Sequence, residues 1–98
     1  MTIYIDIDGT LTTTPTKAWG PVRDGAIERV RKLVYRGHAV YIWSARGKNY
    51  ASQFVEKYGI KGVTTLSKPD VLVDDVAGIR DPGRIRRIGP EEFIRDGI

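Results

Sequence analysis

Apolar segments with strand propensity alternate along this chain with segments of helical periodicity, and this alternation restricts the possible folds more than any other feature. Strands are predicted at Ile3–Ile7, Ala39–Trp43 and Val71–Val73, where β-branched and aromatic residues cluster. Helices are predicted over residues 24–35, capped by the first of them, and over Lys48–Tyr58. This order of β, α, β, α, β predicts an α/β fold, with a parallel sheet, right-handed crossovers and helices on both faces.

Shorter segments complete the predicted architecture. Residues 11–23 lack a clear period and are predicted to form a loop. Val63–Thr64 is predicted as a short strand, Ser67–Pro69 as a loop and Ile85–Ile88 as a weak edge strand. Near the C-terminus, a proline suited to the first turn predicts a short helix around Glu91–Ile94.

The composition excludes several classes of protein. The 98 residues include no cysteine, which excludes a disulfide scaffold and a zinc site with thiolate ligands. No apolar stretch approaches about 18 residues and the N-terminus does not resemble a secretory signal, so residues 1–98 are predicted to form one cytoplasmic domain with no membrane partner. The net charge is +4, and arginines crowd the last fifth of the chain, at Arg80, Arg84, Arg86, Arg87 and Arg95. They either form a solvated face or bind a polyanion.

Five polar residues lie at or next to the predicted carboxyl ends of the strands, namely Asp6, Asp8, Ser44, Asp74 and Asp75. A sixth, Lys68, lies just before the last of these strands. Open parallel sheets bind ligands at this edge, so we expect the six side chains to converge there. Crowded carboxylates repel one another unless a cation lies between them, and an oxygen-only set suits a hard cation such as Mg²⁺. The single histidine, His38, has no metal-ligating or catalytic partner in the sequence and is predicted to be structural.

Four segments together resemble the motifs of the haloacid dehalogenase superfamily. Asp6–Leu11, which reads DIDGTL, is similar to the DxDGT signature of that family. Ser44 is similar to its second motif, Lys68 to its basic third motif and Val71–Asp75 to its acidic fourth motif. The resemblance spans most of the chain and is to small phosphatase-type members. It implies a three-layer Rossmann-like sheet. Members of the family often carry a large cap domain, but only short segments follow the first and second predicted strands here, so we expect no cap domain.

The resemblance implies a Mg²⁺-dependent phosphomonoester hydrolase that acts through an aspartyl-phosphate intermediate. In the family's pattern, Asp6 is the nucleophile and Asp8 is the general acid and then the general base. Ser44 would donate a hydrogen bond to a phosphoryl oxygen. Lys68 would neutralise charge on Asp6 and on the phosphoryl group. Positioning and charge stabilisation of this kind supply most of the catalysis in phosphoryl transfer.

The metal ligands are also implied by the resemblance. Mg²⁺ would be held by the carboxylate of Asp6, the main-chain carbonyl of Asp8 and the carboxylate of Asp74. Asp75 would act through a water molecule.

Substrate binding is predicted for two residues of the first motif and two further residues near the site, namely Gly9, Thr10, Trp19 and Arg46. Trp19 either contacts the substrate or packs on the body of the domain, and Arg46 either reaches a substrate anion or lies at the surface. The predicted partner is a phosphorylated substrate, which could be a small metabolite, a nucleotide or a nucleic-acid end. Homo-oligomer formation would let a neighbouring subunit close the open site.

Two other functions fit part of the same pattern. A receiver-like phosphoacceptor module also joins an acidic pair, a hydroxyl and a lysine around Mg²⁺, but its acceptor follows a middle strand, whereas Asp6 follows the first. A catalytically silent domain that binds a phosphosugar or polynucleotide would show degraded motifs, and none of the four is degraded. A P-loop nucleoside triphosphatase is excluded because GxxxxGK[ST] does not occur.

Overall fold

The computed structural model of the chain describes residues 1–73 and 86–95. Three strands, β1 (Thr2–Asp6), β2 (Ala39–Ser44) and β3 (Thr64–Ser67), form a parallel sheet in the order β1-β2-β3. Asp6 is paired in register with Trp43, and Ser44 with Ser67, so the three strands end at the same edge of the sheet. The predicted parallel α/β fold of the Rossmann-like type is therefore confirmed.

The helices follow the strands in the predicted order. They are α1 (Ala26–Tyr35), α2 (Lys48–Lys57) and α3 (Pro90–Ile94), and Pro90 occupies the first turn of α3 as predicted. A wide turn at Ile7–Leu11 follows β1, and Thr12 donates its N–H to the carbonyl of Ile7 at 3.0 Å to close it. None of the described helices, the longest of which has ten residues, is long and apolar enough to cross a membrane.

The core lies on one face of the sheet. Ile5, Val40 and Ile42 are buried there and form a single cluster with the apolar residues of all three helices. The helices contribute Ala26, Ile27, Val30, Leu33, Ala51, Phe54 and Phe93. Because side chains alternate along a strand, the intervening residues belong to the other face, where Tyr4 stacks on Tyr41 at 4.7 Å between ring centroids. Helices over this second face, which the sequence also predicts, are not seen in residues 1–73 and 86–95.

The position of the third strand corrects the sequence-based prediction. Val71–Val73 was predicted as a strand, but these residues have no strand partner among those described, and their side chains are 78, 55 and 93 % exposed. The third strand is instead Thr64–Ser67, which overlaps the short strand predicted at Val63–Thr64 and includes the first residue of the predicted Ser67–Pro69 loop. Strand propensity reports how well side chains pack on a paired, half-buried surface, so an apolar run without a neighbouring strand does not form one.

The helix starts also differ from the predictions. Glycines, Gly25 and Gly47, occupy the N-cap positions of α1 and α2, so neither Asp24 nor Ser44 caps a helix with its side chain. In the predicted loop at 11–23, Thr12 and Val22 form an isolated antiparallel bridge. Residues 86–88 of the predicted edge strand are not in a strand, and position 85 lies outside the described residues.

Candidate active site

The turn after β1 places Asp6 and Asp8 at the carboxyl edge of the sheet. Gly9 has φ +82°, and a Cβ added there would lie 2.7 Å from the Cβ of Pro15, so the turn requires glycine. The guanidinium of Arg23 donates hydrogen bonds from Nε to the carbonyl of Thr10 at 3.0 Å and from Nη2 to the carbonyl of Gly9 at 3.1 Å. Two main-chain acceptors are thereby held by one planar group, which fixes the direction of the turn.

Ser44 and Lys68 are brought together by the pairing of β2 with β3. The buried Ser44 ends β2, and its main-chain carbonyl accepts the N–H of Lys68 at 3.0 Å. Its hydroxyl oxygen accepts the N–H of Arg46 at 3.0 Å. The Nζ of Lys68 lies 3.2 Å from Oδ1 of Asp6, so the carboxylate of β1 and the lysine after β3 form an ion pair across the end of β2.

These residues line one cleft of about 310 Å³ at the carboxyl edge of the sheet. Its lining consists of Asp6, Asp8, Pro15, Ser44, Ala45, Arg46 and Lys68. The structure therefore brings together all four residues predicted to be catalytic. Two carboxylates face two cations across the cleft, in the pairs Lys68–Asp6 and Arg46–Asp8.

Both oxygens of the Asp8 carboxylate have a hydrogen-bond donor. Nε of Arg46 donates to Oδ2 at 2.5 Å, and the hydroxyl of Tyr50 donates to Oδ1 at 2.7 Å. The Tyr50 hydroxyl in turn accepts the main-chain N–H of Trp19 at 3.1 Å. Burial raises the pKa of Tyr50 above its usual value, the hydrogen bond from Trp19 opposes this and the Asp8 carboxylate adds to it. The Tyr50 hydroxyl is the donor in its hydrogen bond to Asp8.

The four predicted substrate-binding residues occupy different positions. Arg46 lines the cleft, where it is paired with Asp8. The hydroxyl of Thr10 donates to Oδ2 of Asp6 at 3.5 Å, and Gly9 is required by the turn. The Trp19 side chain is not part of the cleft lining, because its ring packs on Tyr50 with 4.8 Å between centroids. The structure thus shows Trp19 packed on the body of the domain, and its contact with a substrate stays a prediction.

Of the predicted metal ligands, only Asp6 and Asp8 belong to the described residues. Asp74 and Asp75 lie outside them, as do Arg80 and Arg84 from the basic segment. No group of three or more acidic, histidine or cysteine side chains suited to a metal ion occurs within residues 1–73 and 86–95. The donors that are described, the Asp6 carboxylate and the main-chain carbonyl of Asp8, are oxygens of the kind that Mg²⁺ prefers.

The sequence analysis did not predict a role for Tyr50. This residue lies in the first turn of α2, four residues after Arg46, and its hydroxyl reaches a carboxylate 42 residues away in sequence. The one signal in the sequence was a tyrosine at a helix start next to the predicted Ser44 motif. Such a position gives no indication of which distant group its hydroxyl meets.

Comparison with known proteins places the chain in a family. No curated protein and no solved structure matches it. The family model of the haloacid dehalogenase-like hydrolases matches residues 3–68, more than half of the chain, and the match includes the first motif, Ser44 and Lys68. The chain therefore belongs to the haloacid dehalogenase-like hydrolases.

Proposed function

We propose that this hydrolase is a Mg²⁺-dependent phosphatase that cleaves phosphomonoesters through an aspartyl phosphate on Asp6. The observation that carries the proposal is the ion pair between Lys68 and Asp6, 3.2 Å apart, in the cleft that Ser44 and Asp8 also line. A nucleophilic carboxylate next to a lysine and a hydroxyl is suited to the transfer of a phosphoryl group, whose charge must be neutralised during the reaction.

In the first half of the reaction, a carboxylate oxygen of Asp6 attacks phosphorus and forms an oxygen–phosphorus bond. The bond between phosphorus and the ester oxygen breaks, and Asp8 donates a proton to the departing oxygen. In the second half, Asp8 removes a proton from a water molecule, whose oxygen attacks the same phosphorus. The bond to Asp6 then breaks, which releases inorganic phosphate and restores the free carboxylate.

Two polar groups of the cleft are placed to stabilise the phosphoryl group. The hydroxyl of Ser44 lies at the end of β2 and can donate a hydrogen bond to a phosphoryl oxygen. The ammonium of Lys68 offsets the negative charge that Asp6 and the phosphoryl group bring together. Such groups are fixed before the reaction begins, which makes them more effective than solvent water.

The charge balance of the cleft favours a divalent cation. The Lys68–Asp6 and Arg46–Asp8 pairs leave no net charge on the four side chains, so a phosphate ester would bring about −2 charge that they do not offset. We propose that the Asp6 carboxylate and the Asp8 carbonyl hold Mg²⁺, with Asp74 and Asp75 completing the site. When bound, Mg²⁺ would draw negative charge from the phosphoryl oxygens.

The connections around the cleft support a capless form of the enzyme. Residues 7–25 connect β1 to α1, and residues 45–47 connect β2 to α2, so neither connection has the length of a domain. An open cleft would admit a small metabolite, a nucleotide or a nucleic-acid end. Cytoplasmic location and the closing of the site by a second subunit stay predictions.

The test is release of inorganic phosphate from p-nitrophenyl phosphate by wild type and Asp6→Asn. An amide is a poor nucleophile, so we expect turnover in the wild type with Mg²⁺, its loss with a chelator and its absence in the variant. Asp24→Asn, which changes an exposed aspartate in the same way, is the matched control and should retain wild-type turnover. Substantial hydrolysis by Asp6→Asn would contradict the proposal.

A further inference from the structure

The geometry around Asp8 points to Tyr50 as the positioning residue of the general acid and base. We propose that the Tyr50 hydroxyl, itself oriented by the main-chain N–H of Trp19, holds the Asp8 carboxyl in its reactive orientation. This inference rests on the function proposed above for Asp8. Tyr50 is not expected to touch the reacting atoms, because it does not line the cleft.

Tyr50 donates a hydrogen bond to one oxygen of Asp8 and leaves other lone-pair sites of the carboxylate available. A carboxylate has about four lone-pair sites, of which Tyr50 and Arg46 occupy one on each oxygen. The remaining sites can carry the proton that Asp8 donates and later recovers. The hydrogen bonds therefore fix the plane of the carboxyl while leaving room for the proton transfer.

Of the two donors to Asp8, Tyr50 has the side chain that is held by more contacts. The Arg46 side chain is 39 % exposed and lies beside the open cleft, where an incoming phosphate ester competes with Asp8 for its guanidinium. The ring of Tyr50 is packed against that of Trp19 at 4.8 Å, and its hydroxyl has partners on both sides. If the substrate draws Arg46 away, Tyr50 still orients Asp8.

Trp19, which donates to the Tyr50 hydroxyl, has an unusual main-chain conformation. Trp19 has φ +58°, and it is the one non-glycine residue in the described part of the chain with a positive φ. A bulky side chain in this region of φ costs energy, and such positions persist where the surroundings hold them. Here the N–H of Trp19 meets the Tyr50 hydroxyl and its ring packs on Tyr50 and Phe54. The loop that carries Trp19 is thereby connected to Asp8.

The experiment compares phenyl phosphate with p-nitrophenyl phosphate as substrates for wild type and Tyr50→Phe. Phenolate needs a proton to leave and nitrophenolate needs much less help, so only the first substrate depends on a well-placed acid. The value of kcat/KM reports the steps up to phosphoryl transfer to Asp6. We expect it to fall about tenfold for phenyl phosphate and less than about twofold for p-nitrophenyl phosphate, as for a lost hydrogen bond to a charged group.

Two controls separate positioning from structure. Tyr58→Phe removes a hydroxyl from the other end of the same helix, where the ring packs on Phe54, and should leave both substrates unaffected. In an Asp8→Asn background, Tyr50→Phe should cause no further loss, because it acts through a carboxyl that is already gone.

Equal losses for the two substrates would overturn the inference, as would a further loss in the Asp8→Asn background. Failure of Tyr50→Phe to fold, judged by circular dichroism, would make the hydroxyl structural and would also overturn it. If the wild type hydrolyses neither ester in the presence of Mg²⁺, the proposed function itself fails. Turnover of both esters with an unchanged substrate ratio refutes only the role of Tyr50.

Discussion

Lys68 and Asp6 form an ion pair of 3.2 Å between Nζ and Oδ1, although 62 positions separate them in the sequence. The parallel pairing of β1, β2 and β3 creates this contact, because it aligns the ends of all three strands at one edge. The pair is partly exposed, with 37 % of the lysine side chain and 31 % of the aspartate accessible, so a ligand can reach both groups. An exposed ion pair adds little to stability, which favours a role in function.

Replacing Lys68 with methionine should lower kcat while leaving the fold intact. In the proposed mechanism the ammonium offsets charge that is greatest in the transition state, and removing one such group typically costs about 10²-fold or more in kcat. Lys61→Met changes an exposed lysine away from the cleft and is the matched control. Steady-state kinetics on p-nitrophenyl phosphate measure kcat, and thermal unfolding shows whether the variant is folded. A variant with wild-type kcat would remove Lys68 from the catalytic group.

Ser44→Ala and Ser67→Ala should separate catalysis from stability. Each hydroxyl accepts a main-chain N–H near the start of α2, from Arg46 at 3.0 Å and from Lys48 at 2.7 Å. Loss of either acceptor should lower the free energy of unfolding by about 1 kcal/mol. Only Ser44→Ala should also lower kcat, because only Ser44 lines the cleft. Urea denaturation measures the free energy of unfolding of both variants, and phosphatase kinetics measure their kcat. An equal fall in kcat for the two variants would contradict the role assigned to Ser44.

Gly9→Ala should destabilise the chain more than Gly37→Ala. Both glycines have φ above +80°, so both substitutions bear the cost of a left-handed residue, about 1–2 kcal/mol. At Gly9 the new Cβ also meets Pro15 at 2.7 Å, whereas at Gly37 nothing lies within 4 Å. The free energy of unfolding of the two variants gives the comparison. An equal decrease in the free energy of unfolding for the two variants would mean that the contact with Pro15 is relieved by a small shift of the turn, and would contradict the prediction.

Stability should decrease at alkaline pH through Tyr50. Burial raises the pKa of Tyr50 above the usual 10.0, so the unfolded chain loses this proton at a lower pH than the folded one. The contribution of the protonated Tyr50 to the free energy of unfolding is complete below about pH 10 and is lost as the pH rises through the folded-state pKa. Urea denaturation at pH values below and above about 10 gives the free energy of unfolding. This free energy should decrease less with rising pH for Tyr50→Phe than for wild type. Tyr35→Phe, at a residue that is 92 % exposed, should behave like wild type, and equal slopes in all three would contradict the shift.

The regular part of the fold could be predicted because its local signals agree with its tertiary contacts. β1, β2, α1 and α2 begin and end within two residues of their predicted positions, and their apolar residues face one core. Asp6, Asp8, Ser44 and Lys68 could be placed in one cleft for a related reason, whereas Asp74 and Asp75 lie outside the described residues. The topology of a parallel sheet brings strand ends together whatever the intervening sequence is.

What could not be predicted depended on partners distant in sequence. Val71–Val73 has the composition of a strand, but pairing with β2 is achieved by the more polar Thr64–Ser67. Tyr50 resembles any tyrosine at the start of a helix until the fold places Asp8 within 2.7 Å of its hydroxyl. Likewise, the sequence left two roles open for Arg46 and for Trp19, because the choice depends on which groups they contact.

The most direct test of the central claim is detection of a phosphoryl group on Asp6. Asp8→Asn should still accept phosphate from p-nitrophenyl phosphate, whose leaving group needs little help from an acid, but it cannot activate water for the second step. The phosphorylated enzyme should therefore accumulate, and mass spectrometry of acid-quenched, digested protein should find the added phosphoryl group on the peptide that contains Asp6. Nitrophenolate release with the peptide unmodified, or with the phosphoryl group on another residue, would contradict the account.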